Sequence, residues 1–113
     1  MVITNEAKNR LIELLEGDIS SAIHGTDGTD PNVGDTDLGA PVAATSAAVT
    51  TTIGEKLLNV KHILTANDGN GTTFREFGIH TMADTKLMNH IVYPDFDKSG
   101  ALELHTITTI RVN

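Results

Sequence analysis

Only one segment of the chain has the spacing of an amphipathic helix, and this limits the possible folds more than any other feature. In residues 4–16 the apolar side chains recur at intervals of three and four positions: Ala7, Leu11, Leu14 and Leu15. Thr4 or Asn5 can cap this helix, and Gly17 can end it. A parallel sheet needs a crossover helix between strands, and the chain has no second amphipathic helix. The rest of the chain is therefore expected to form antiparallel strands.

Alternating and β-branched patterns predict five or six such strands. They fall at residues 20–24, 41–53, 57–66, 73–80, 86–93 and 102–112. Residues 57–66 can be read as a helix or a strand, and the alternation of Val60, His62 and Leu64 with their neighbours favours the strand. The last strand is the clearest, because apolar residues and threonines alternate along it. Residues 67–71 are predicted to be a hairpin turn, residues 82–85 a second turn, and Pro94 the end of the fifth strand. The expected fold class is mainly β: a short N-terminal α-helix followed by an antiparallel β-sandwich of five to seven strands.

The length of 113 residues predicts one domain, residues 1–113, with the helix in 1–17 and the sandwich in 18–113. Gly, Asp, Thr and Pro dominate residues 25–41, which predicts a long acidic loop. Loops of this length in small domains tend to be functional or ordered by a partner. Three Phe, one Tyr and no Trp give the core few large side chains. We therefore expect a subunit that neighbours help to stabilise.

The charge balance excludes several classes of function. Fifteen acidic and eight basic residues give a formal charge of −7, which argues against binding to nucleic acid or to an anionic membrane. Without cysteine there is no disulfide, no thiolate nucleophile and no thiolate zinc site. No apolar run is long enough to cross a bilayer, and the N-terminus has no basic segment leading into an apolar one. We expect a soluble chain without an export signal.

Two acidic stretches are candidate cation sites. Residues 95–100 match the opening of a calcium loop, but position twelve is Thr106 where a bidentate Glu is needed, so an ordinary strand connection is favoured. The second stretch is the acidic loop, which carries four aspartates: Asp27, Asp30, Asp35 and Asp37. No spacing rule singles them out as ligands, so solvation or a subunit contact is favoured over ion binding. The sequence therefore assigns no metal ligand and no cofactor.

The remaining candidate groups are histidines and one glutamate. The five histidines show no HxH or HExxH spacing, although His80 and His90 could face each other across a hairpin as a polar pair. There is no GxSxG elbow and no glycine-rich phosphate loop, so no catalytic residue is assigned and no enzyme is expected. Glu76 lies between Phe74 and Phe77, where it either faces solvent or satisfies backbone donors of a loop.

Three segments, taken together, resemble small structural proteins of tailed bacteriophages and tailed archaeal viruses. They are the loop at residues 24–31 (HGTDGTDP) with 35–39 (DTDLG), the strand at 74–79 (FREFGI), and residues 93–99 (YPDFDKS) before the last strand. In that family a GTGT-x-x-P…DT-x-L loop follows an N-terminal helix, and a later strand carries E-x-G-L/I. The resemblance runs from about residue 5 to 112 in the same order. Asp27 departs from a glycine of the pattern, His80 from an aromatic residue and Asn89-His90 from an arginine.

The resemblance implies a non-enzymatic structural protein of the virion, part of the tail, baseplate, neck or fibre, with copies of itself and other virion proteins as partners. Symmetric packing would bury Leu11, Leu14 and Leu15 as a subunit interface, whereas in a monomer this face must cover its own sheet. A capsid decoration or turret protein remains an alternative. So does a calcium-dependent carbohydrate-binding module, for which Tyr93 is the one available aromatic platform. A small hydrolase would need a convergent nucleophile and base.

Overall fold

One helix precedes two antiparallel sheets in the computed structural model, which describes residues 1–113. The elements are α1 (Asn5–Asp18), β1 (Ile19–Gly25), a 3-10 helix (Ala43–Thr45), β2 (Ala47–Ala48), β3 (Thr50–Gly54), β4 (Leu57–Leu64), β5 (Thr73–Thr81), β6 (Lys86–Asp97) and β7 (Leu104–Arg111). One sheet has the order β2-β1-β5-β6 and the other the order β3-β4-β7. The prediction of a mainly-β sandwich behind an N-terminal helix is confirmed.

The helix begins as predicted but turns a different side chain inward. The hydroxyl of Thr4 caps it by accepting from the backbone N–H of Ala7 at 3.2 Å, and the helix continues past Gly17 to Asp18. Ile12, with 1% exposure, enters the core, where we expect its burial to contribute roughly 1.5–3 kcal/mol.

The predicted apolar stripe therefore does not lie against the sheet as a unit. Leu15 packs at the margin of the core, whereas Leu11 and Leu14 are 52% and 54% exposed. The core cluster joins the helix to both sheets: Ile12, Ala22, Leu58, Val60, Phe77 and Ile79. Spacing alone identified a helix but not the rotation that brings Ile12 inward.

Residues 41–53 do not form the single strand that the sequence predicted. Pro41 makes an isolated bridge to Gly25, the 3-10 helix follows, and then β2 joins one sheet while β3 joins the other. The Thr45 hydroxyl holds this bend, because it accepts from the backbone N–H of His24 at 2.9 Å and donates to the carbonyl of Val42 at 2.7 Å. The chain therefore passes from one sheet to the other within the predicted strand.

The turn at residues 67–71 is also different from the prediction. It connects β4 of one sheet to β5 of the other, so it is a crossing between sheets and not a hairpin. Gly69 and Gly71 have the positive φ angles of 67° and 81° that such turns assign to glycine. The second predicted turn, at residues 82–85, is confirmed as the hairpin between β5 and β6.

Pro94 does not end the strand that contains it. β6 continues to Asp97, because it is an edge strand and Pro94 lies in an irregularity of the pairing with β5. Phe74 pairs with Phe96 and Glu76 pairs with Val92, so three residues of β6 oppose one residue of β5 between them. A bulge of this kind removes the need for the N–H that proline lacks.

Candidate functional site

The carboxylate of Glu76 is the centre of the polar structure in this protein. Glu76 lies on β5 and is fully buried. Its Oε2 accepts from the backbone N–H of Asp27 at 3.0 Å and of Ala40 at 2.8 Å, and its Oε1 accepts from the N–H of Gly39 at 2.8 Å. Of the two possibilities that the sequence left open, the structure has the second, because this side chain satisfies loop donors. We call this arrangement the Glu76 anchor.

The Glu76 anchor holds both ends of the acidic loop on the outer face of the four-stranded sheet. Between those ends Leu38 is buried and lies over Gly78 of β5, where an added Cβ would come within 2.9 Å of the Leu38 side chain. A Cβ on Gly25 would lie 2.6 Å from the carbonyl oxygen of Ala40. Glycine at positions 25 and 78 thus lets the loop approach the sheet closely.

His90 on β6 completes the Glu76 anchor from the other side. Its Nε2 lies 2.8 Å from Oε1 of Glu76, and its Nδ1 lies 2.7 Å from Oδ2 of Asp35 in the loop. Carboxylates only accept, so both ring nitrogens carry a proton in this geometry and the ring is an imidazolium. Burial by itself lowers the pKa of His90, but the hydrogen bonds to Asp35 and Glu76 outweigh burial and raise the pKa above its usual 6.5.

The other loop aspartates have separate partners. Asp37 lies 3.5 Å from His80 of β5, and Asp27 accepts from the backbone N–H and the hydroxyl of Thr29, which lowers the pKa of Asp27. The structure contains no group of three or more His, Cys, Asp or Glu side chains placed to hold a metal ion. Solvation or a subunit contact is the role expected of the loop acids; Asp30 is exposed, while Asp35 and Asp37 also lie beside histidines of the four-stranded sheet.

The first half of the segment that resembled a calcium loop, residues 95–97, belongs to strand β6. Asp95 pairs with Arg75 through contacts of 2.9 Å and 3.3 Å, and Asp97 accepts from the Thr73 hydroxyl at 2.6 Å. Both carboxylates therefore point to β5 and not toward a common centre. Arg75 also donates to the carbonyl of Thr26 at 3.2 Å, so this ion pair adds a further link between loop and sheet.

A second polar cluster lies between the sheets. His24 Nδ1 is 2.8 Å from the Tyr93 hydroxyl, and His62 Nε2 donates to the carbonyl of Thr45 at 2.9 Å. Burial lowers the pKa of His24 to about 4, with a further contribution from His62, and burial also lowers the pKa of His62. The rings of both histidines contact Phe77. At neutral pH they are uncharged and act as aromatic core residues.

The predicted pairing of His80 with His90 across a hairpin is wrong in register. His80 is opposite Leu87, and His90 is opposite Gly78. Both histidines nevertheless lie beside the loop, each next to a different aspartate. The contact of His90 with Asp35 joins residues 55 positions apart, and no sequence spacing indicated it.

No helix of the structure is long and apolar enough to span a bilayer. No protein-family model matches the chain, and no curated protein matches it.

Proposed function

We propose that this chain is a non-enzymatic structural subunit of a tailed virus particle, self-associating and forming part of the tail, baseplate, neck or fibre. The observation that carries the proposal is the Glu76 anchor. It joins the loop at residues 24–39 to the strand at 74–79, and the pair of Arg75 with Asp95 adds the segment at 93–99. The three segments that carry the resemblance to virion proteins thus form one structural unit.

The chemistry of the anchor favours a structural role. The Glu76 carboxylate is fully buried and accepts four hydrogen bonds, so its lone pairs are used within the protein. Such a group is suited to fixing a loop rather than to transferring a proton to a substrate. An ordered loop loses less conformational entropy when it binds a partner. Val33 is fully exposed on this loop and is a suitable contact for another virion protein.

The exposed face of α1 supports self-association. Leu11 and Leu14 are more than half exposed, and no other part of the chain covers them. Leu15 packs against the core of its own chain, so it would support the interface from within. We propose that a neighbouring subunit covers Leu11 and Leu14, because two adjacent exposed leucines on a helix are an apolar surface without a partner.

The test is the presence of this chain in purified virus particles from cells that carry the gene. Quantitative mass spectrometry should find it at many copies per particle, and gold-labelled antibody should place it on the tail, the baseplate, the neck or a fibre. Labelling of the head would favour a capsid decoration instead. Abundance in infected cells combined with absence from particles would contradict the virion role.

A variant test addresses the helix face. Leu11→Asp with Leu14→Asp should leave the fold intact, because both side chains are exposed, and should prevent incorporation into particles. Asn67→Asp places the same new side chain at an exposed turn outside α1 and should be incorporated normally. Equal incorporation of both variants would show that this face has no partner.

A further inference from the structure

The two ends of the acidic loop are fixed to the four-stranded sheet by backbone groups. The N–H groups of Asp27, Gly39 and Ala40 donate to the carboxylate of the Glu76 anchor. The ends also lie side by side, because a Cβ on Gly39 would overlap the side chain of Asp27. We call residues 28–37, between these ends, the loop tip. The loop is thus closed at its base, and the loop tip is the part that is free to move.

Polar contacts between the loop tip and the sheet go through two histidines. Oδ2 of Asp35 lies 2.7 Å from Nδ1 of His90 on β6, and Oδ1 of Asp37 lies 3.5 Å from Nε2 of His80 on β5. No other hydrogen bond or ion pair joins residues 28–37 to a strand. The shorter of the two contacts, the one made by His90, therefore decides how firmly the loop tip is held.

A cavity of about 300 Å³ lies between the loop tip and β6. Its walls are Pro31, Asn32, Val33 and Asp35 on the loop side and Leu87, Met88, Asn89 and His90 on the strand side. Within the loop tip, the N–H of Asn32 donates to Oδ2 of Asp35 at 2.8 Å, and the N–H of Asp35 donates to the carbonyl of Asn32 at 3.0 Å. This turn is bonded to itself, so it can move away from β6 as one piece.

His90 holds the loop tip with a proton that it can lose. When both ring nitrogens are protonated, Nδ1 donates to Asp35 and Nε2 donates to Glu76. A neutral ring has only one N–H, so one of the two carboxylates then faces a lone pair. Glu76 is fully buried and has no access to water, whereas the side chain of Asp35 is 29% exposed. The remaining proton therefore stays on the side of Glu76, and the contact with Asp35 is the one that breaks.

We propose that His90 is a pH-sensitive latch, which holds the loop tip on β6 when the ring is doubly protonated and releases it when the ring is neutral. The loop ends stay at the Glu76 anchor, and the cavity opens to solvent. Burial lowers the pKa of His90, but the hydrogen bonds to Asp35 and Glu76 outweigh burial and raise that pKa above 6.5. The latch therefore opens as the pH rises above this value. This inference rests neither on the virion role nor on self-association.

The charged groups around His90 favour the closed state. Those that face it from β5 and from the loop are acidic: Glu76, Asp35 and Asp27. The neighbouring pair of His80 with Asp37 adds one more acid and one more imidazole. On β6 itself the nearest charged residues are Lys86 and Asp95, four and five positions away. Loss of the proton leaves two carboxylates on either side of a neutral ring, which favours release of the exposed one.

The test is the distance between two spin labels, measured by double electron-electron resonance. The chain has no cysteine, so labels can be placed at Val33→Cys on the loop tip and Thr52→Cys on β3 of the other sheet, both exposed positions. Between about pH 6 and about pH 9 we expect a narrow distance distribution to become longer and broader. Its midpoint should equal that of the His90 ring in NMR titrations. Lys86→Cys with Thr52→Cys is the control pair on strands, and its distance should not change.

Two further variants of the labelled chain have opposite expected results. His90→Gln offers its NH₂ to Glu76 and leaves Asp35 without a donor, so the open distribution should appear at every pH. Asp35→Asn pairs with either form of the ring, because an amide accepts from the protonated ring and donates to the neutral one, so the closed distribution should persist at both pH values. His105→Gln, exposed on β7, is the matched histidine control and should keep the wild-type transition.

These variants also separate the latch from a general loss of structure. If the control pair shows that His90→Gln has unfolded, Asp35→Asn at its half-exposed position decides the question. A wild-type distribution that stays the same while the His90 ring titrates would overturn the latch. An Asp35→Asn variant that opens with pH as the wild type does would also overturn it, and so would a midpoint that follows a histidine other than His90.

Discussion

Replacing Glu76 by Gln removes the charge of the anchor and changes its shape very little. The best placement puts the amide oxygen where Oε2 accepts from Asp27 and Ala40. The amide NH₂ then faces His90, which can accept as a neutral ring, and it also faces the backbone N–H of Gly39. Two donors therefore meet at Gly39, and its half-buried N–H loses its partner.

The cost follows from these contacts. An unpaired buried N–H costs about 1–3 kcal/mol, and each bond that changes from a charged to a neutral acceptor loses about 1 kcal/mol. A neutral amide is less costly to bury than a carboxylate, which offsets part of this loss. We expect Glu76→Gln to lower the free energy of unfolding by about 3 kcal/mol. For a domain of this size that corresponds to a fall in melting temperature of about 10–15 °C.

Thermal and urea unfolding measure this change, and Glu55→Gln is the matched control because Glu55 is exposed. Amide hydrogen exchange locates the effect, since the N–H groups of Asp27, Gly39 and Ala40 should lose protection before the core strands do. A melting temperature within about 2 °C of wild type, or unchanged protection at these three amides, would refute the role assigned to Glu76.

The remaining predictions concern pH and packing. Because the pKa of His90 is raised, its contribution to stability is complete below pH 6.5 and is lost as the pH rises through its folded-state pKa. The pKa of His24 is lowered to about 4, so its contribution is complete above pH 6.5 and is lost as the pH falls toward 4. Stability should therefore peak near pH 6.5, and histidine NMR titrations should place these two groups on opposite sides of that value. Gly25→Ala should lower the free energy of unfolding by about 2 kcal/mol, because the added Cβ would lie 2.6 Å from a backbone oxygen. Gly17→Ala adds a Cβ in open space on α1 and should raise the free energy of unfolding slightly in the same urea titrations. Ile12→Ala should cost about 2–4 kcal/mol in urea unfolding, far more than the same change at either exposed leucine of α1.

The elements with regular periodicity could be predicted from the sequence. The predicted alternation along β7 is present in the structure, where Leu104, Thr106, Thr108 and Ile110 are half-buried and the residues between them are exposed. The sheet crossings could not be predicted, because a run of small residues such as 41–53 has no strong pattern to show where the chain bends. The bend depends on Thr45, whose partners at His24 and Val42 are backbone groups that leave no mark in the sequence.

The candidate site was only half predictable. The apolar neighbours of Glu76 left two possibilities, a carboxylate that faces solvent or one that satisfies backbone donors of a loop, and the structure has the second. The position of His90 between Asp35 and Glu76 arises from the pairing of β5 with β6 and from the path of a long loop. Such contacts depend on tertiary structure, and no spacing rule connects residues 35, 76 and 90.

The most direct test of a self-associating structural subunit is the solution mass of the purified chain by light scattering, with calcium and with chelator. We predict a closed oligomer whose mass is a multiple of the 12.0 kDa of one chain and is the same in both conditions. A monomer whose melting temperature rises with calcium would contradict this conclusion and would favour the calcium-dependent binding module instead.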